Sequence, residues 1–138
     1  VVSQHVLEIP TSGRGMVEVT DEVRRCVADA GLTAGLCNVF IQHTSASLFL
    51  NENADPAVQR DLEVFFAALV PDGDPRFSHT AEGPDDMPAH IKASMLGSSL
   101  MISIRDKRLC LGIWQGIYLG EHRDHGGTRR VIATIQGE

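Results

Sequence analysis

Leu36-Cys37-Asn38-Val39-Phe40-Ile41-Gln42-His43 is the stretch whose reading decides the fold. Strand alternation puts Cys37, Val39 and Ile41 on one face and Leu36 and Phe40 on the other, so both faces carry apolar side chains and the run reads as a central strand. It stops at Thr44-Ser45, which leaves His43 at the strand end, where a scaffold commonly holds reactive groups.

On the N-terminal side, residues 3–9 and 15–19 read as short strands around the turn-rich Pro10-Thr11-Ser12-Gly13. Thr20 then caps a predicted helix whose Val23, Cys26, Val27 and Ala30 fall at i, i+3, i+4 and i+7, with Gly31 as its stop. On the C-terminal side, residues 45–52 suggest another strand. Asp55-Pro56 opens a helix with Val58, Leu62, Phe65, Phe66 and Leu69 along one face. A polar loop rich in glycine, proline and acids runs from Pro71 to Pro88, and a third helix is expected over residues 87–96, capped by Asp85-Asp86. The last third reads as strands over 99–104, 109–111, 113–119 and 130–135. Strands at both ends and about three helices between them predict one α+β domain, mainly antiparallel and sandwich-like.

The 138 residues suffice to bury a core without disulfides or structural metal, so a metal, if bound, is functional rather than structural. A formal charge of −6 argues against a nucleic-acid surface, which needs net positive patches. Cys26, Cys37 and Cys110 are odd in number, far apart and set among apolar residues, as expected of reduced, buried thiols. No signal-peptide pattern and no membrane-length apolar run is present, and these features together predict a soluble, cytoplasmic protein that does not enter a membrane.

His43, His79 and His90 sit beside small, polar or turn-forming residues in QHTSAS, SHTAEG and MPAHIKAS. Brought together, their imidazoles would make a three-nitrogen shell for a zinc-type ion with one position left for water or substrate. Their separations match no short metal motif, and any one of them reads equally well as a surface or hydrogen-bonded polar group. Glu52, after a short apolar run, is a candidate general base near His43, and Glu121 is a second candidate. The segment EHRDHGGTRR reads either as a charged hairpin loop or as a substrate-holding one, in which Arg123, Arg129 or Arg130 would grip a phosphate or carboxylate. In it His122 and His125 are possible supports or an alternative metal pair. Ser45 is a candidate for orienting a phosphate, and no GxSxG or SxxK motif supports a serine hydrolase. Trp114 reads as a core or interface anchor, and the neighbouring Gln115 amide would need partners from a subunit interface or a ligand.

HTSAS followed by LNENADP, the block HTAEGPDDMPAHIKASMLGSS, and residues 99–117, SLMISIRDKRLCLGIWQGI, together resemble the YjbQ-like family, described as secondary thiamine-phosphate synthases. The resemblance covers essentially the whole chain. Lys107 stands where that family commonly has a turn glycine, and Ile113 where threonine usually precedes Trp-Gln. The resemblance implies a homotrimer with a histidine cluster regarded as a metal site near subunit boundaries. It also implies an activity, the joining of a pyrimidine methyl diphosphate to a thiazole phosphate with release of pyrophosphate. Lys92, Arg123 and Arg129 would then be the cations facing small phosphorylated substrates. Pyrophosphate departure is ordinarily assisted by magnesium, which prefers oxygen ligands, whereas three imidazoles favour zinc. A zinc-type hydrolase of a small phosphorylated or acyl compound therefore stands as the alternative, and a non-enzymatic metal-binding trimer as the third reading.

Overall fold

The structure, a computed structural model, describes residues 1–138. Eight strands and three helices follow in the order β1 (Val2–Pro10), β2 (Gly15–Glu18), α1 (Thr20–Ala30), β3 (Ala34–Ile41), β4 (Ala46–Glu52), α2 (Pro56–Leu69), α3 (Asp86–Leu96), β5 (Ser99–Arg105), β6 (Arg108–Leu109), β7 (Gln115–Glu121) and β8 (Thr128–Gly137). The strands form a five-stranded sheet in the order β1-β8-β3-β5-β6 and a three-stranded sheet in the order β2-β7-β4. Every pairing is antiparallel, so the fold is the α+β arrangement expected from the sequence.

β3 lies at the centre of the large sheet, between β8 and β5. Its inner residues Cys37, Val39 and Ile41 are buried, but Leu36 and Phe40 on the other face are 38% and 42% exposed, so the strand is covered on one side only. One core cluster joins those inner residues to Val23, Cys26 and Val27 of α1, Ala46 and Leu48 of β4, and Ile117 and Leu119 of β7. The i, i+3, i+4 spacing in α1 thus supplies the layer that closes both sheets. At the edge of β3, Gly35 pairs with Gly137, and a Cβ on Gly35 would stand 2.2 Å from the Gln136 carbonyl oxygen. Only glycine permits that approach.

Several local expectations are corrected. The apolar face of α2 is only half covered: Val58, Leu62 and Phe66 are part-buried, no residue of the helix is fully buried, and Phe65 and Leu69 of the stripe, with the neighbouring Val64, are 59%, 52% and 70% exposed. Trp114 is 60% exposed and precedes β7 rather than lying within it, so it is not a core anchor in the single chain. Cys110 is exposed, although Cys26 and Cys37 are buried as expected. Asp55 does cap α2 by accepting from the Ala57 amide at 2.9 Å. Thr20 does not cap α1, because its hydroxyl donates to Glu18 and accepts from the Ile117 amide. No helix is long and apolar enough to cross a membrane.

The β4–β7 pairing sets Ala46 opposite Glu121 and Ser47 opposite Gly120, which carries four polar side chains inward at one end of the small sheet. Ser45, Ser47, Glu121 and His122 are all buried there. His122 Nε2 meets Ser47 Oγ at 2.9 Å, while its Nδ1 has no partner. Burial, and then the nearby Lys92 ammonium, push the His122 imidazole down to about 4. In the unfolded chain this ring takes a proton near pH 6.5, so the unfolded state binds more protons between those values and stability falls as pH drops through the window. The expected loss is on the order of 3 kcal/mol by pH 4. Denaturant unfolding between pH 7 and 4 checks it, with His122→Gln expected to flatten the slope.

Candidate metal centre and substrate groove

α3 begins with Asp86, and an i, i+4 step places His90 on the same face one turn on. The loop between α2 and α3 brings His79 to that face. Its Nε2 lies 2.6 Å from Asp86 Oδ2, and His90 Nε2 lies 3.3 Å from the same oxygen. The two imidazole centroids are 5.3 Å apart. Ligand atoms of His79, Asp86 and His90 all fall within 4.8 Å of one another. Donors around a tetrahedral zinc-sized ion lie about 3.3 Å apart, so small side-chain rotations would close this trio on an ion.

The orientation of His90 tells most about the chemistry. Its Nδ1 lies 3.0 Å from the Thr44 carbonyl oxygen, which can only accept, so Nδ1 carries the hydrogen. In the neutral ring Nε2 then presents a lone pair to Asp86 Oδ2, another acceptor, 3.3 Å away. A proton or a metal ion must lie between them. A backbone carbonyl that fixes the far nitrogen of a histidine is the usual support for a metal-ligating imidazole.

Asp86 is buried and has a second partner, Arg123 Nη1, at 2.7 Å from Oδ1. Burial opposes its charge, but the hydrogen bond from His79 and the fields of His90 and Arg123 prevail and hold the carboxyl below its ordinary value. Arg123 also donates from Nε to Asp85 Oδ2 at 2.9 Å and from Nη2 to the Glu82 carbonyl. Asp85 accepts from the Asp124 amide as well. The Asp85-Asp86 pair, expected to cap α3, is thus engaged by the segment after β7, and Asp85 makes no side-chain cap.

His43 stands just outside the trio. It shares with His90 an open groove of about 520 Å³ lined by Thr44, Ala46, Ala93, Ser94 and Ser98. His43 Nδ1 lies 3.0 Å from the Ser45 amide and its Nε2 lies 2.9 Å from Arg129 Nη1, two donors for a neutral ring that accepts at only one nitrogen. Burial and then Arg129 lower the His43 pKa, so the ring is held neutral. Arg129 is anchored by Glu121 Oε1 at 2.6 Å, and Thr11 Oγ1 donates to the same oxygen. Arg129 thus donates beside the groove residue His43, with its own charge balanced by Glu121.

The remaining sequence candidates divide by place. Ser45 Oγ reaches His90 Nδ1 at 3.3 Å, inside the site. Glu121 is fully buried, and although burial opposes its charge, the bonds from Arg129, Thr11 and the Arg123 amide hold it ionised, a support for Arg129 rather than a free base. Glu52 lies at the other end of β4, roughly 20 Å along the strand from Ala46, where its carboxylate accepts from the Asp55 amide. Gln115 pairs with Glu52 in register and accepts from the Gly112 amide, away from the histidines. Lys92 is 1% exposed, points into the interior near Arg14, Glu63 and His122, and its Nζ has no hydrogen-bond partner. His125 enters none of these contacts. Asp86, expected to cap α3, is instead the residue on which both imidazoles converge, and the Asp-x-x-x-His spacing was the signal for it.

The family model described as "UPF0047 protein YjbQ-like" matches residues 5–138. The chain belongs to the YjbQ-like UPF0047 family. The UPF0047 protein YjbQ of Escherichia coli O157:H7 is 52% identical over 98% of both chains. UPF0047 protein sll1880 of Synechocystis is 46% identical over 98% of this chain and 92% of that one. Among solved structures, a YjbQ/UPF0047 protein from Clostridium acetobutylicum gives a TM-score of 0.84 at 38% identity, covering 97% of this chain and 99% of that one. A hypothetical protein from Aeropyrum pernix K1 gives 0.90 at 29% identity over 99% of each chain.

The trio makes a distinction between the histidines. Asp86→Asn and His90→Ala are expected to lower zinc affinity by about tenfold or more, whereas His43→Ala is expected to leave it within about threefold. Competition of tag-free protein against a zinc-chelating dye measures all three.

Proposed function

We propose that this chain is a metal-dependent enzyme that acts on a small phosphorylated compound held in the groove between His43 and α3. The observation that carries the reading is the convergence of His79 Nε2 and His90 Nε2 on Asp86 Oδ2, at 2.6 and 3.3 Å. Two imidazoles and one carboxylate suit zinc better than magnesium. An ion there would polarise a phosphoryl oxygen or lower the pKa of a bound water. His79 and His90 keep 49% and 29% of their side chains exposed, so that face of the trio is open to substrate, whereas Asp86 anchors it from within.

The chain's own groups supply the rest. Arg129 and His43, 2.9 Å apart, are the polar groups that would hold one substrate oxygen. Glu121 keeps Arg129 in place and balances its charge. The neutral His43 is the group at hand to pass a proton to or from the reacting centre. Ser94 and Ser98 add hydroxyls along the groove.

Hydrolysis of a phosphorylated substrate is the first form of this reading. Thiamine-phosphate synthesis, implied by the family resemblance, is the second, favoured by a groove large enough for two joined ring systems, with magnesium as the ion in that case. Zinc- or magnesium-loaded protein should be offered a panel of phosphate esters and, separately, the pyrimidine diphosphate and thiazole phosphate pair. Asp86→Asn is expected to lower kcat by about a hundredfold or more, and Arg129→Gln to raise KM chiefly. Turnover of esters alone would remove the synthase form; full activity in Asp86→Asn would remove the metal.

Self-association as a homotrimer belongs to the same proposal. Its support is the apolar surface left uncovered in one chain, Val64, Phe65 and Leu69 on α2 together with Ile113 and Trp114 before β7. The reduced thiols of Cys26 and Cys37 suit a cytoplasmic setting. Light scattering after size exclusion is expected to give three times the chain mass, and Phe65→Glu to shift the protein toward monomer.

A further inference from the structure

We propose a second binding site, separate from the histidine groove, that takes a small phosphorylated molecule carrying an apolar group, of the size of a mononucleotide. It lies between α1 and the β5–β6 hairpin, in a cavity of about 520 Å³ bounded by Arg24, Val27, Ala28, Lys107, Arg108 and Leu109. Three of those residues are cations and none is an acid. The volume equals that of the histidine groove and falls within the usual range for small-ligand sites.

These cations are not spent elsewhere. Lys107 and Arg108 make no ion pair, and the one carboxylate near Arg24 is Asp21, at 3.8 Å one helical turn back. On a chain of net charge −6, two unpaired cations and a third held only by a long, exposed ion pair form a local field around one cavity opposite to that of the whole. Val27, Ala28 and Leu109 give the cavity an apolar floor, which a free phosphate would leave unused but a base or other flat apolar group would cover.

The turn that carries Lys107 is the second argument. Asp106 and Lys107 both have positive φ, 51° and 67°, and they are the two non-glycine residues of the chain that do. Such a two-residue hairpin turn favours Asn-Gly or Asp-Gly, since glycine adopts positive φ without steric penalty. A lysine there bears strain that glycine would not, and the strained position sets its ammonium at the cavity. The turn is also tied down, with the Asp106 amide donating to the Thr33 carbonyl at 2.8 Å and the Lys107 amide to that of Leu32 at 2.9 Å. The backbone that carries the lysine is thereby fixed before any ligand arrives, which leaves only the side chain to be ordered on binding.

The site is remote from the histidines. Ala34 pairs with Arg105 beside the hairpin, and His43 lies nine residues further along the β3 direction, roughly 30 Å away. Occupancy here therefore does not depend on the metal.

Full-length protein should be titrated with AMP and, separately, with inorganic pyrophosphate, followed by calorimetry and amide proton–nitrogen spectra. AMP is expected to bind below about 1 mM, with shifts at Arg24, Ala28 and residues 107–109, and pyrophosphate to bind more weakly. Lys107→Gly removes the cation and relieves the turn, so the fold is retained while AMP affinity falls about tenfold or more. Arg108→Gln should weaken binding similarly, and Asp86→Asn should leave it unchanged. Absence of AMP binding, unaltered affinity in Lys107→Gly, or shifts confined to the His43–His90 groove would each overturn the site. Pyrophosphate binding as tightly as AMP would overturn the part assigned to the apolar floor.

Discussion

The buried Asp86 carboxylate is the point on which the site depends. Its two oxygens serve three partners from three places in the chain: His79 of the long loop, His90 of the same helix, and Arg123 of the segment after β7. A buried carboxylate without those partners would be strongly disfavoured. The loop, the helix and the segment after β7 are therefore mutually required. The His79-Asp86-His90 trio, the mouth of the groove and the guanidinium behind it are consequences of one ion-pair network rather than independent features.

A second network, built on Glu121, repeats the logic on the opposite side of the groove. Glu121 is fully buried at the end of β7 and is paired with Arg129 and Thr11. It orients a cation toward His43 much as Asp86 orients two imidazoles. The groove is thus flanked by two buried carboxylates, each paired with an arginine and each ordering a histidine beside it, Asp86 directly and Glu121 through Arg129.

The overall architecture was legible in the sequence because it rests on hydrophobic periodicity. The LCNVFIQH run, the spacing in α1 and the Asp55-Pro56 start of α2 are local patterns, and each came out close to the expected place. What was not legible depends on partners distant in sequence. Asp85 and Asp86 look like cap residues until Arg123 and Asp124 arrive from 37 to 39 positions away. Glu52 and His43 seem neighbours in sequence, but β4 carries them to opposite ends of the small sheet. Lys92, two residues after a candidate ligand, looks available to substrate until helical rotation turns it inward. The apolar face of α2 was legible as a stripe; a single chain covers only part of it, leaving Phe65 and Leu69 exposed.

That rotation of Lys92 has its own bearing on how the molecule responds to occupancy. Two residues advance a helix by roughly 200°, so α3 carries His90 toward the solvent-facing trio and Lys92 almost diametrically inward. The helix behaves as an axle between the outside ligands and an unsatisfied ammonium in the protein's middle. On its inward side Lys92 lies near Arg14, Glu63 and His122, so the outer imidazole and the inner ammonium share one rigid element and any roll of α3 would move both together.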